Sequence, residues 1–116
     1  MEKLLFTFQM LQTVAATFPA GFTCDKNTFK PITKGFAVAV ADTQNSFDST
    51  GAARVAAYVC AHDEINAVGG WFNNDNKKYY YDAVIVCDNY DDAVILGKKN
   101  NQIAIFNLAT LEEIRL

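Results

Sequence analysis

The segment Lys78–Leu108 constrains the fold most, because it carries the signals of a strand, a helix and a second strand in succession. Aromatic and β-branched residues fill 78–87, which favours a strand. Asp88 or Asn89 can cap a helix over 90–99, whose first turn is acidic and whose last turn holds two lysines, as the helix dipole favours. Residues 102–108 return to a strand pattern. This succession predicts helices packed on a sheet.

The rest of the chain adds elements on both sides of this unit. Before it, the sequence predicts an amphipathic helix over 3–17, an edge strand or hairpin over 22–30, an apolar strand over 36–41, a helix over 48–63 and a strand over 67–72. The continuous apolar run of the third element indicates burial on both faces. Gly69-Gly70 indicates a bulge or a close backbone approach, and a polar turn at 73–76 closes a hairpin. A last short strand is expected over 113–116.

The central order is strand, helix, strand, strand, helix, strand. It predicts an α+β fold of the ferredoxin-like, split βαβ type (β-α-β-β-α-β), with an antiparallel sheet and the helices on one face. The N-terminal helix and strand would be an extension, and the C-terminal β-hairpin an addition. With 116 residues, the chain is expected to form a single domain over 1–116.

Composition narrows the classes of partner. The net charge of −3 argues against duplex DNA, whose binding needs a basic face. No run approaches the roughly 20 apolar residues of a membrane span, so no membrane partner is expected. The first 18 residues loosely resemble a signal peptide, but their barely basic start, Gln9 and Gln12 argue against secretion. Three sparse cysteines indicate reduced thiols, and we expect a cytoplasmic location.

Metal binding and catalysis find little support in the sequence. Cys24, Cys60, His62 and Cys87 are suitable zinc ligands, but no pair has zinc-site spacing. The acids that follow His62 would raise the pKa of a neighbouring thiol, which argues against a cysteine nucleophile. We therefore predict no metal, no cofactor and no catalytic residue, and we incline against an enzyme.

Four aspartates are candidates for paired catalytic carboxylates. Helix capping and the helix dipole account for Asp88, Asp91 and Asp92. Asp82 interrupts an apolar strand, and we interpret it as an outward-facing residue beside a loop or a sheet edge.

Two groups of residues are candidate binding sites. Thr43, Gln44, Asn45 and Ser46 join a buried strand to a helix N-terminus, where free amides can hold a phosphate or a carboxylate; helix capping alone would also explain these residue types.

The second group is aromatic. Trp71, Tyr79 and Tyr81 lie on adjacent strands of the predicted hairpin and could form an interface. Such aromatics can also stack on nucleic-acid bases, although only Lys77 and Lys78 provide positive charge nearby. One set of these aromatics is alternatively expected to pack into the core.

A resemblance to a known family rests on the residue pattern of these segments: Gly35–Phe47, Gly69-Gly70-Trp71, Tyr79-Tyr80-Tyr81-Asp82-Ala83-Val84, Asp92-Ala93-Val94, Leu96-Gly97-Lys98-Lys99-Asn100 and Gln102-Ile103-Ala104-Ile105-Phe106. Together they resemble a family of small uncharacterised domains from phages and bacterial mobile elements. The resemblance implies a bacterial or phage cytoplasm and an accessory role in host–element conflict, such as modulation of host defence.

The leading hypothesis is a non-enzymatic interaction domain that binds a protein partner, or forms a homo-oligomer, through the aromatic sheet face. One alternative is a nucleotide- or anion-binding module that uses Thr43–Ser46. The other is single-stranded nucleic-acid binding through the sheet aromatics.

Overall fold

The computed structural model describes residues 2–116 as an α+β arrangement of three helices and a seven-stranded antiparallel sheet. The helices are α1 (Glu2–Thr17), α2 (Asp48–Ala61) and α3 (Tyr90–Lys99). The strands are β1 (Gly21–Asp25), β2 (Phe36–Ala39), β3 (Ser46–Phe47), β4 (Ala67–Asn73), β5 (Lys78–Cys87), β6 (Ala104–Asn107) and β7 (Glu112–Arg115). The sheet order is β1-β4-β5-β2-β6-β7, and β3 pairs separately with β5.

The helices form where the sequence provides spacing and caps. In α1 the buried residues Thr7, Leu11, Val14 and Ala15 recur at helical spacing and make one face. The bounds of α3 agree with the sequence prediction, and the Asn89 side chain caps it by accepting a hydrogen bond from the Asp92 amide at 3.1 Å.

Strand β5 is the centre of the sheet. It pairs with β4 along seven residues of one edge, and with β3 and then β2 along the other. Side chains alternate along a strand, so Tyr79, Tyr81 and Ala83 point to the helices. Tyr80 and Asp82 point to the opposite surface, which carries no helix and is called the open face below.

The core lies between the helices and one face of the sheet. A larger cluster joins α1 and α2 to strand residues that include Cys24, Val68 and Ala83. A smaller cluster joins Ala93 of α3 to Val38 and Ile105. All three helices therefore pack on the same face of the sheet.

One strand prediction needs correction. The apolar run 36–41 was expected to be buried on both faces, but β2 ends at Ala39, and Ala37 and Ala39 are only partly buried. The reason is that no helix covers the open face. The terminal additions agree with prediction: β1 is an edge strand on β4, and β6 and β7 form a C-terminal hairpin.

The glycine pair in β4 makes close approaches and no bulge, because the β4–β5 register is continuous. Gly70 faces the helix side, where a Cβ would lie 2.7 Å from Cε1 of Tyr79 and would also meet the Phe22 ring. Gly69 faces the open side between Thr23 and Asp82, its partners in the register. The glycines thus admit aromatic rings on one face and leave a depression on the other.

Within residues 2–116, no helix combines the length and the apolar character that a bilayer crossing requires.

Candidate binding groove on the open sheet face

The open face contains a groove of about 810 Å³. Its floor contains small residues on the two strands that flank β5, namely Ala37 and Ala39 of β2 and Gly69 of β4, so the surface is low at its middle. Loop residues outside the strands raise its sides: Phe18, Pro31, Ile32, Ile103, Leu108 and Leu111. A volume of this size is typical of sites that hold a small molecule or a few residues of a peptide.

Apolar side chains remain uncovered around this groove. Ile103 and Leu111 are 72% and 73% exposed, and Trp71 is 44% exposed. Phe18 and Phe106 are exposed at the same rim. A contiguous apolar concavity is more informative than scattered exposed side chains, because soluble folds rarely leave one without a use.

Asp82 is the one acid on the floor of the groove. The position of its side chain follows from the alternation of side chains along a strand, because Tyr80, Asp82 and Val84 share the open face of β5. Its cross-strand partner Gly69 has no side chain to pair with it. Burial raises the pKa of the Asp82 carboxyl from 3.8 to about 6, and a hydrogen bond from the Trp71 side chain partly opposes that rise.

The sequence interpretation of Asp82 is therefore half right. The side chain does face outward, and on one edge of β5 it lies beside the segment that joins β2 to β3, but β5 is a central strand and not an edge of the sheet. The available signal was a lone acid within a run of β-formers. Only the central position of β5 in the sheet, and the absence of a helix above it, place that acid inside a groove.

A row of three aromatic side chains, Trp71, Tyr80 and Phe47, crosses the open face beside the groove. The Trp71 and Tyr80 rings are stacked with centroids 4.7 Å apart, and Phe47 and Tyr80 are 5.4 Å apart. Lys78 Nζ lies 4.0 Å from the centre of the Phe47 ring. We call these three residues the aromatic row.

The three predicted interface aromatics do not share one surface. Trp71 belongs to the aromatic row, but Tyr81 is only 5% exposed and packs in the larger core cluster. The Tyr79 hydroxyl donates to the Phe18 carbonyl at 2.9 Å, and burial raises the pKa of Tyr79 to about 12. The register is the physical reason, because Trp71 pairs with Tyr80 and the two neighbouring tyrosines point the other way.

Tyr80 and Phe47 are site residues that the sequence reasoning missed. The predicted turn at 73–76 implies a pairing register for the hairpin, and that register could have identified Tyr80 as the cross-strand partner of Trp71. Phe47 gave no comparable signal, because it lies in a two-residue strand that follows an irregular turn.

In the predicted ligand-binding loop, Thr43–Ser46, the two hydroxyl groups form hydrogen bonds within the protein. Thr43 is fully buried, and its Oγ1 accepts from the Ala83 amide at 3.0 Å. The buried Ser46 hydroxyl donates to the Thr43 carbonyl at 2.7 Å. Gln44 and Asn45 are exposed. The two hydroxyls thus hold the chain where it passes from β2 to β3, and they do not converge on solvent.

The side chain of Arg54 in α2 contacts this loop through three hydrogen bonds. Its guanidinium donates to the carbonyl oxygens of Asp42 at 2.8 Å and Gln44 at 2.9 Å, and to Ser46 Oγ at 3.1 Å. The guanidinium of Arg54 is therefore engaged with the protein's own oxygens.

The cysteines and the histidine do not come together. Cys24 belongs to the larger core cluster, while Cys87 packs against the smaller one. Burial raises the pKa of both thiols. Cys60 donates weakly to Thr7 Oγ1, and His62, which follows α2, stacks on Tyr58 of that helix. Among residues 2–116, no group of three or more possible ligands is placed to hold a metal ion.

No protein-family model matches this chain, and comparisons with curated proteins and with solved structures find no significant match.

Proposed function

We propose that this chain is a non-enzymatic binding domain that receives a protein partner, or a second copy of itself, on its open sheet face. The single observation that carries the proposal is the groove itself, an apolar concavity on the one face of the sheet that no helix covers. The interface role predicted from the sequence is kept for Trp71, at the rim of this groove. For Tyr79 and Tyr81, which face the helices, it is no longer proposed.

We also propose that the central strands have ferredoxin-like connectivity. What supports this is the order β4-β5-β2-β6, antiparallel throughout, with α2 connecting β2 to β4 and α3 connecting β5 to β6. Strands β1 and β7 would then be additions at the two edges. In such a frame the face without helices is the natural place for a ligand, because backbone and side chains there stay accessible.

A groove-filling variant tests the proposal. Ala39→Phe places a ring on the floor of the groove, while Ala53→Phe makes the same change on the exposed side of α2. Peptides are selected from a random display library on the wild-type protein. We expect enriched peptides to bind the wild type and Ala53→Phe equally, and to lose at least about tenfold in affinity for Ala39→Phe.

Self-association is measured in parallel by light scattering over a range of protein concentrations. A dimer that dissociates in Ala39→Phe and persists in Ala53→Phe would identify a second copy as the occupant. If no peptide is enriched and no concentration-dependent association occurs, or if both variants behave as the wild type, the open face is not the binding surface.

A second candidate is binding of single-stranded nucleic acid on the aromatic row. The stacked Trp71 and Tyr80 rings and the nearby Lys78 favour it. The acids Asp82 and Glu113 on the same face oppose it, because they repel phosphates. Gel shifts with oligo-dT and oligo-U at several salt concentrations, compared between the wild type and Trp71→Ala, would reveal such binding as a salt-sensitive complex that the variant weakens.

Two further hypotheses stay predictions from the sequence alone. One is anion or nucleotide binding at Thr43–Ser46, which calorimetry against a nucleotide panel would test. The other is an accessory role in the cytoplasm of a phage-bearing or plasmid-bearing bacterium, for which the neighbouring genes would be informative.

A further inference from the structure

The floor of the groove combines an apolar surface with one acid. Of the residues that line it, only Asp82 and Glu113 have side chains that carry charge. Glu113 lies at the margin on β7, exposed, and its carboxylate pairs with Arg115 Nε at 3.4 Å. The strands β1, β2, β4 and β6 place no titratable side chain on the floor. Asp82 is therefore the isolated charge at the centre of this site.

Nothing within the described chain neutralises Asp82. Among residues 2–116, no lysine, arginine or histidine forms an ion pair with it, and its polar neighbour is the Trp71 side chain. A carboxylate on an apolar floor loses water without gaining a countercharge, which is unfavourable. Nothing in the packing requires an acid here, since its register partner Gly69 has no side chain and leaves room for an apolar residue.

The negative charge of Asp82 limits which ligands can bind in the groove. An anionic ligand would be repelled by Asp82 and, at the margin, by Glu113. A metal ion would need more oxygen ligands than one carboxylate supplies. A neutral apolar segment would bury the carboxylate further without compensating it. An apolar segment that brings one cation would both cover the rim and neutralise the floor.

We propose, as a deepening of the proposed function and resting on it, that the groove recognises a peptide segment in which one lysine or arginine is flanked by apolar residues, with its cation paired to Asp82. The apolar neighbours would contact Trp71, Phe106 and the exposed loop side chains, while the cation reaches the floor beside Gly69. The stem of a lysine or arginine is itself apolar, so it suits a groove whose walls are apolar and whose floor is acidic.

The test uses four peptide sub-libraries that share randomised apolar positions (alanine, valine, leucine and phenylalanine). They differ only at a fixed central residue: lysine, arginine, norleucine or glutamate. Each is incubated with immobilised wild-type protein or with Asp82→Asn, and the bound peptide is quantified by mass spectrometry. Ala39→Phe gives the background. Asparagine keeps the size and polarity of the side chain and removes its charge.

At neutral pH we expect the lysine and arginine sub-libraries to be retained on the wild type about tenfold better than norleucine, as a charge-assisted contact predicts. Asp82→Asn should bring this preference to within about twofold and leave norleucine retention unchanged or higher. In the wild type, the preference should also shrink below about pH 6 as the carboxyl is protonated.

The possible failures are distinguishable. Equal retention of lysine and norleucine on the wild type, or a preference that survives in Asp82→Asn, would overturn the assignment of the cation while leaving the groove as a binding surface. Retention no greater than on Ala39→Phe in every sub-library would overturn this inference together with the proposed function.

Discussion

Replacing Asp82 with asparagine is expected to stabilise the protein at neutral pH. The unfolded chain exposes this carboxyl to water, where its pKa is 3.8, while burial in the folded protein raises the pKa to about 6. Ionising the group therefore costs more in the folded state than in the unfolded one. Asparagine has nearly the same shape and never ionises, so it removes that cost.

The magnitude follows from the difference between the two pKa values. At about 1.4 kcal/mol for each pH unit, the interval from 3.8 to about 6 corresponds to about 3 kcal/mol. The side chain keeps partial access to solvent, which screens the effect. We expect Asp82→Asn to raise the free energy of unfolding by about 2–3 kcal/mol at neutral pH.

The stability difference between the wild type and Asp82→Asn should depend on pH in a defined direction. Below about pH 3.8 the carboxyl is protonated in both states, so the wild type and Asp82→Asn should differ little. Between there and about pH 6 the unfolded state releases its proton first, and the wild type loses stability relative to the variant as the pH rises. Above about pH 6 the full difference should be present and constant.

Urea unfolding at a series of pH values measures this, with the fluorescence of Trp71, the single tryptophan, as the signal. Asp75→Asn, in the exposed β4–β5 turn, is the matched control and should not reproduce the profile. A difference between the wild type and Asp82→Asn that stays constant from acid to neutral pH would refute the reasoning. So would a wild type that is more stable than the variant at neutral pH.

Two further substitutions test the passage from β2 to α2. Thr43→Val should lower the free energy of unfolding by about 1–3 kcal/mol in urea titrations, because it leaves the buried Ala83 amide without its acceptor; exposed Thr33→Val should change it by less than about 0.5 kcal/mol. Gly51→Ala should destabilise by about 1–3 kcal/mol, since the new Cβ would lie 2.7 Å from the Ser46 carbonyl oxygen, and a thermal melt showing the usual small stabilisation of a helical glycine-to-alanine change would contradict this.

Local signals accounted for the elements that depend on neighbouring residues. Helix α3 has its predicted bounds because its cap, its acidic first turn and its basic last turn all lie within a dozen residues. The β4–β5 hairpin was predictable from a polar turn between two runs of β-formers. The α+β class was predictable from the order of helices and strands along the chain, because that order is a property of the sequence alone.

The candidate site was predictable only in part. Asp82 and Trp71 were both identified from sequence, the first as an anomaly and the second as an exposed aromatic. Their relation was not, because it depends on which residue of β5 lies opposite which residue of β4. A shift of one residue in that register would exchange Tyr80 with Tyr79 or Tyr81 on the open face.

The sequence by itself determined the helices, the hairpin and the presence of one acid within an apolar strand. Tertiary structure decided that three helices pack on the same side of the sheet, and this leaves the opposite side uncovered. It also decided that Gly69 lies opposite Asp82 and Ala39 opposite Val84, which makes the groove. The physical reason is that burial and electrostatics depend on neighbours distant in the chain, whereas caps and turns depend on adjacent ones.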